Sequence, residues 1–125
     1  MGGFFGNRRK TNRRPADMAV DVHSYRRRGG WRTLEPGARG LDFNRFGMAF
    51  VSRTRLRPGD SLRLSLHGPA MRLHGVEARV VSSQHTGQGY RSGVRFYESL
   101  HELAHATRAP YLRYLCGLEE QLPPA

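Results

Sequence analysis

The sequence predicts an all-β domain closed by one C-terminal helix, in the form of a small antiparallel barrel. Three observations carry this. Between Met18 and Phe96, apolar and polar residues alternate in short runs, the two-residue period of half-buried strands. Glycine and proline pairs punctuate the runs at hairpin spacing. After Glu98 the apolar period becomes helical. The 125 residues suit one domain with a core of its own, and the single cysteine, Cys116, excludes a disulfide framework.

The elements follow in order. Residues 1–14 hold glycines and then Arg8, Arg9, Lys10, Arg13 and Arg14 without apolar periodicity, which reads as a mobile basic arm ahead of a barrel over residues 15–125. Met18, Val20 and Val22 alternate as a strand, and Gly29-Gly30 supports a hairpin turn returning through Trp31 to Leu34. Glu35-Pro36-Gly37 reads as another turn, followed by strands over Ala38 to Phe43 and Gly47 to Arg53. Arg57-Pro58-Gly59-Asp60 is a turn, and Leu62, Leu64 and Leu66 mark the cleanest strand. In residues 71–83 the apolar positions switch from odd (Met71, Leu73) to even (Val76, Ala78, Val80), which predicts a β-bulge at Gly75. Gly87-Gln88-Gly89 turns into a last strand with Tyr90, Ser92, Val94 and Phe96 on one face and Arg91 and Arg95 on the other. Ser99 with Glu102 forms a capping-box pattern for the helix, and Pro110 is expected to kink or break it near its middle.

Charge is the strongest compositional feature. Lys plus Arg number 21 against 10 acids, for a net +11, and Lys10 is the single lysine. Residues 1–60 hold 14 basic and 5 acidic residues, residues 61–125 hold 7 and 5, so the excess is N-terminal. Such asymmetry points to an anionic partner such as a nucleotide or nucleic acid. No apolar run is long enough to span a membrane and no signal peptide opens the chain, so a cytoplasmic location is expected.

Two motifs then bear on function. The arm carries Arg9-Lys10-Thr11-Asn12-Arg13, an Arg-x-x-x-Arg, and further on stands Asp42-Phe43-Asn44-Arg45-Phe46-Gly47, an Asp-x-Asn-x-x-Gly at a strand-to-strand turn. With Gly93-Val94-Arg95-Phe96 as the last strand before the helix, the chain resembles the PilZ domain family, whose signature is Arg-x-x-x-Arg followed by Asp/Asn-x-Ser-x-x-Gly. The resemblance implies a six-stranded antiparallel barrel with a C-terminal helix and binding of the second messenger cyclic di-GMP. It implies a ligand site of Arg9 and Arg13 on one side, with Arg8 in support, and Asp42, Asn44 and Gly47 on the other. An Arg fork matches guanine O6 and N7, and a carboxylate accepts from guanine N1–H and N2–H₂. Asn44 departs from the family's serine, and Gly47 is expected to turn the backbone tightly and approach the ligand. A receptor of this kind needs no cofactor and no catalytic machinery, and it acts on a protein partner whose identity the sequence does not name.

Other readings use the same residues. The domain reads alternatively as a small basic nucleic-acid-binding β-barrel, with arginines on phosphates and Trp31, Phe43, Phe46 and Tyr90 available for stacking. A second Arg-x-x-x-Arg, Arg28 to Arg32, spans the hairpin turn and lies too close to Asp42 to be the signature. His101-Glu102-Leu103-Ala104-His105 matches the His-Glu-x-x-His of zinc hydrolases but lacks a third-ligand motif, so no metal is expected. Asp42 to Gly47 also reads as a plain turn, with Asp and Asn capping backbone amides.

Overall fold

The computed structural model describes residues 13–26, 29–96 and 105–124, with backbone alone at 25–26 and 105–112. Its strands are β1 (Arg14–Pro15), β2 (Ala19–Arg26), β3 (Gly30–Asn44), β4 (Gly47–Ser52), β5 (Ser61–His67), β6 (Arg72–Thr86) and β7 (Gly89–Phe96), followed by helix α1 (His105–Glu120). All pairings are antiparallel, in the order β3-β2-β5-β6-β7-β4, and β4 pairs back onto β3 to close a six-stranded barrel. β1 lies along β3, matching Arg14 to Phe43 and Pro15 to Asp42. The expected fold class is therefore the observed one.

Alternation explains the core. Val20, Val22, Leu64, Leu66, Val76 and Val80 point inward and are all but fully buried. Phe43 and Phe96 pack ring to ring with centroids 5.6 Å apart. Leu115 and Leu118 of α1, with Leu122 beyond it, join the same cluster. The helix sits so close at Gly68 that a Cβ there would lie 2.2 Å from Leu118 Cδ1.

The bulge expected at Gly75 is present. Leu64 pairs with Val76 and Leu66 with Leu73, so three steps on β6 oppose two on β5, and Gly75 has φ 71°. The turn at 57–60 also forms, with the Arg57 amide donating to Asp60 Oδ2 and the Asp60 amide to the Arg57 carbonyl.

Two expectations are corrected. Glu35-Pro36-Gly37 is not a turn, because β3 runs through it for 15 residues. The β2–β3 register slips on both sides of Val22, which bulges the segment. A bulge accepts these residues because Pro36 has no ladder N–H to offer and Gly37, at φ 68°, turns its N–H to Asp21 Oδ1. Pro110 does not break α1, which continues on both sides of it. Proline removes one backbone hydrogen bond, and packing of the later turns through Leu115 and Leu118 holds the helix. The expected cap at Ser99 lies outside the described residues.

Glu35 gains a specific task from its place in the bulged strand. It is 7% exposed, and its carboxylate accepts from the Arg53 and Thr54 amides as the chain leaves β4. Glu35→Ala is expected to cost about 2–3 kcal/mol by stranding those donors, and Glu35→Gln, which keeps one oxygen, less than that. Urea denaturation of both variants checks the ranking.

Asp21 contributes a pH dependence. Its Oδ2 lies 2.9 Å from His67 Nε2. The His67 hydrogen bond, partly opposed by burial, holds the carboxyl below its ordinary 3.8. A depressed folded-state pKa stabilises the fold above the unfolded value, and that contribution is lost as pH falls through the lower folded one. Asp21→Asn should therefore flatten the loss of melting temperature below about pH 4, in thermal melts taken from about pH 6 downward.

Candidate functional site

A single extra residue in β3 creates the site. Gly40 pairs with Phe50, but Asp42 pairs with Ala49, so Leu41 is bulged out of the ladder. Without the bulge, Asp42 would take the place of Phe43 opposite buried Met48. With it, Phe43 fills the core and Asp42 emerges on the outer face of the barrel. The Leu41 carbonyl accepts from the Ala16 amide, which fixes the incoming chain beside it.

β1 then delivers the end of the Arg-x-x-x-Arg motif. Its pairing with Phe43 and Asp42 sets Arg13 next to the bulge, and Arg13 Nη1 donates to Asp42 Oδ1 in an ion pair across 29 residues of sequence. The pair is mostly shielded, with side-chain exposures of 19% and 24%. Arg13 Nε is buried and makes no hydrogen bond among the described residues. The other carboxylate oxygen, Oδ2, faces Arg91 of β7 at 3.7 Å. Asp42 thus stands between two guanidinium groups.

Asn44 is committed to the turn that follows. Only 4% exposed, it accepts the Phe46 amide at 2.8 Å and the Gly47 amide at 3.0 Å through Oδ1. The amide oxygen serves as a turn cap, a task a serine hydroxyl also performs. Gly47 is required by strand packing. Its φ is not positive, and a Cβ there would lie 2.3 Å from the Val94 carbonyl oxygen. The close approach is to β7.

The C-terminal end of α1 grips both motifs. Glu119 Oε1 accepts from the Arg45 amide at 2.7 Å and from Arg45 Nε at 3.1 Å. That hydrogen bond raises the pKa of Arg45, keeping the guanidinium charged. Arg14 Nη1 donates to the Glu119 and Leu122 carbonyls, at 2.8 and 3.1 Å. So of the expected arm, Arg13 and Arg14 are fastened to the barrel, while Arg8 and Arg9 lie outside the described residues.

Sequence reasoning brought Arg13, Asp42, Asn44 and Gly47 to the same region, and there they are. It missed Arg91, Arg45, Arg14 and Glu119. Alternation had put Arg91 on the outer face, but its meeting with Asp42 depends on ring closure. Among the stacking candidates, Phe43 is fully buried, Tyr90 packs against His85, Trp31 lies under Arg63 but is 37% exposed, and Phe46 is 42% exposed. His101 and Glu102 lie outside the described residues, as does the side chain of His105. No metal-binding cluster occurs among the described residues, and no described helix is long and apolar enough to cross a membrane.

The PilZ domain family model matches residues 7–110, through both motifs and every strand of the barrel. The chain belongs to the PilZ domain family. Among solved structures, it is similar to the PilZ domain with c-di-GMP of YcgR from Escherichia coli, at 16% identity and a TM-score of 0.49, covering 86% of this chain and 88% of that one. No curated protein matches it. This PilZ domain has Asn44 where the family signature has serine, and the turn it caps is intact.

Three substitutions check these assignments. Gly47→Ala should destabilise by about 2–3 kcal/mol, because β4 and β7 must separate to admit the methyl group. Asn44→Ala should cost about 1–2 kcal/mol by removing the acceptor for two amides, and Asn44→Ser should restore most of it. Chemical denaturation measures all three.

Proposed function

We propose that this PilZ domain is a receptor for cyclic di-GMP, with Arg8, Arg9, Arg13, Asp42, Asn44 and Gly47 at its ligand site. The observation that carries the reading is the meeting of the family's two motifs at the Arg13–Asp42 ion pair. An Arg fork and a carboxylate side by side are complementary to guanine: the fork meets O6 and N7, the carboxylate accepts from N1–H and N2–H₂. Asn44 and Gly47 act through backbone shape, holding the turn after Asp42 and its approach to β7. Arg8 and Arg9 enter from the motif alone.

Output follows from the Glu119 grip. Arg14 follows Arg13 directly and Arg45 follows Asn44, and both are bonded to the end of α1. Ligand that repositions Arg13 and the turn after Asp42 therefore acts on the helix end and on the surface shown to a protein partner. Such a change requires only different ligand affinity in the two arrangements. The domain works as a binding module, and no step of this reading needs catalysis or a cofactor.

Calorimetric titration with cyclic di-GMP tests the proposal, together with thermal melts. Ligand should stabilise the domain by about 2.7 kcal/mol at a hundredfold excess over Kd. Arg13→Ala and Asp42→Ala should each weaken binding about tenfold or more, since each removes a charged hydrogen-bonding partner of the base. In the absence of ligand each should cost no more than about 1 kcal/mol, as expected for a partly exposed ion pair. Arg57→Ala, in the turn before β5, should bind as the unmodified protein does. Absence of both heat and stabilisation in the unmodified protein would refute the reading.

A further inference from the structure

The face that carries Asp42 continues across β4 onto β7 and β6. The register aligns Asp42, Ala49, Gly93 and Ser82 in one row across four strands. Ala49 and Gly93 are buried and present almost no side chain, so the row is a lane of small residues between Asp42 and the exposed Ser82. Arg91 and Arg95 flank Gly93 two residues to either side, on the same outward face. Both are exposed.

These arginines are poorly used by the fold. Arg91 reaches Asp42 only at 3.7 Å, and its side chain is 47% exposed. Arg95 has no ion pair among the described residues and is paired in register with Arg79 across the β6–β7 ladder. Like charges directly opposite each other on a sheet disfavour folding, and an anion placed between or above them reverses the sign of that interaction. A Cβ at Gly93 would lie 2.7 Å from Ser82 Oγ, an atom that a rotation of the serine side chain moves aside. The lane has guanidinium groups on both flanks and a carboxylate at one end.

We propose that Arg91 and Arg95 form a second cationic wall of the ligand site and take a phosphodiester group of the nucleotide whose guanine is read by Arg13 and Asp42. This inference rests on the receptor reading. In the ligand-free domain, Arg91 helps to neutralise Asp42. When Asp42 turns to guanine donors, Arg91 is released to the phosphate beside it, so one movement serves both contacts. Arg95, across Gly93, meets the same anion from the other side.

The test is calorimetric titration of cyclic di-GMP into the unmodified domain, Arg91→Ala, Arg95→Ala and Arg57→Ala, each at low and at moderate salt. Arg91→Ala and Arg95→Ala should each weaken binding about tenfold and reduce its salt dependence, because each removes a charge acting on an anion. Arg91→Ala should leave the ligand-free melting temperature close to the unmodified protein's, Arg95→Ala should hold or slightly raise it by removing the charge opposite Arg79, and Arg57→Ala should change nothing. Wild-type affinity in both variants would overturn the proposal. So would weaker binding with an unchanged salt dependence, since that would assign Arg91 and Arg95 to holding Asp42 and the strand surface and not to the phosphate. If the unmodified domain gives no heat, the receptor reading itself falls and this inference with it.

Discussion

One bulged residue, Leu41, decides the chemistry of this barrel's surface. β3 must place Ala38 and Phe43 in the core, and these lie an odd number of residues apart. A regular strand cannot bury both on one face. The extra residue resolves that conflict and brings Asp42 to the outside at the point where β1 and β7 can reach it. The ion pair with Arg13, the approach of Arg91 and the turn capped by Asn44 all follow from this local shift.

The same region ties the two motif segments to the C-terminal helix. Glu119, 8% exposed, is anchored by α1 and accepts twice from Arg45. Arg14 closes the link by donating to carbonyls at the end of the same helix. Carbonyls at a helix C-terminus lack intrahelical donors, and a cation there is favourable. Both motif segments are therefore bonded to one helix terminus.

The high arginine content takes on a spatial meaning in this setting. Arg45 and Arg14 serve the fold, with well-directed hydrogen bonds. Arg63 lies over Trp31, 4.4 Å from the ring centroid, and also pairs with Glu77. Arg13 and Arg91 instead converge on one carboxylate. A surface where positive charge exceeds its local counter-charge, beside a carboxylate able to accept from a base, is suited to a ligand that is both anionic and hydrogen-bonding.

Much of this was legible in the sequence because it is local. Two-residue alternation located the strands, the odd-to-even switch located the bulge at Gly75, and motif spacing brought Arg13, Asp42, Asn44 and Gly47 under suspicion together. Glu35-Pro36-Gly37 misled because the residues that favour a turn are also those that a bulge accepts, and the partner strand chooses between them. Pro110 misled because tertiary packing outweighs one missing hydrogen bond. Gly47's need for a missing Cβ toward the Val94 carbonyl was not legible, because that carbonyl belongs to another strand. Arg91 and Glu119 carry no local signal of their role at all. Pattern and spacing determined which residues form strands and which motifs are present. Barrel closure and helix docking decided which charges meet, because those contacts join residues far apart in the chain.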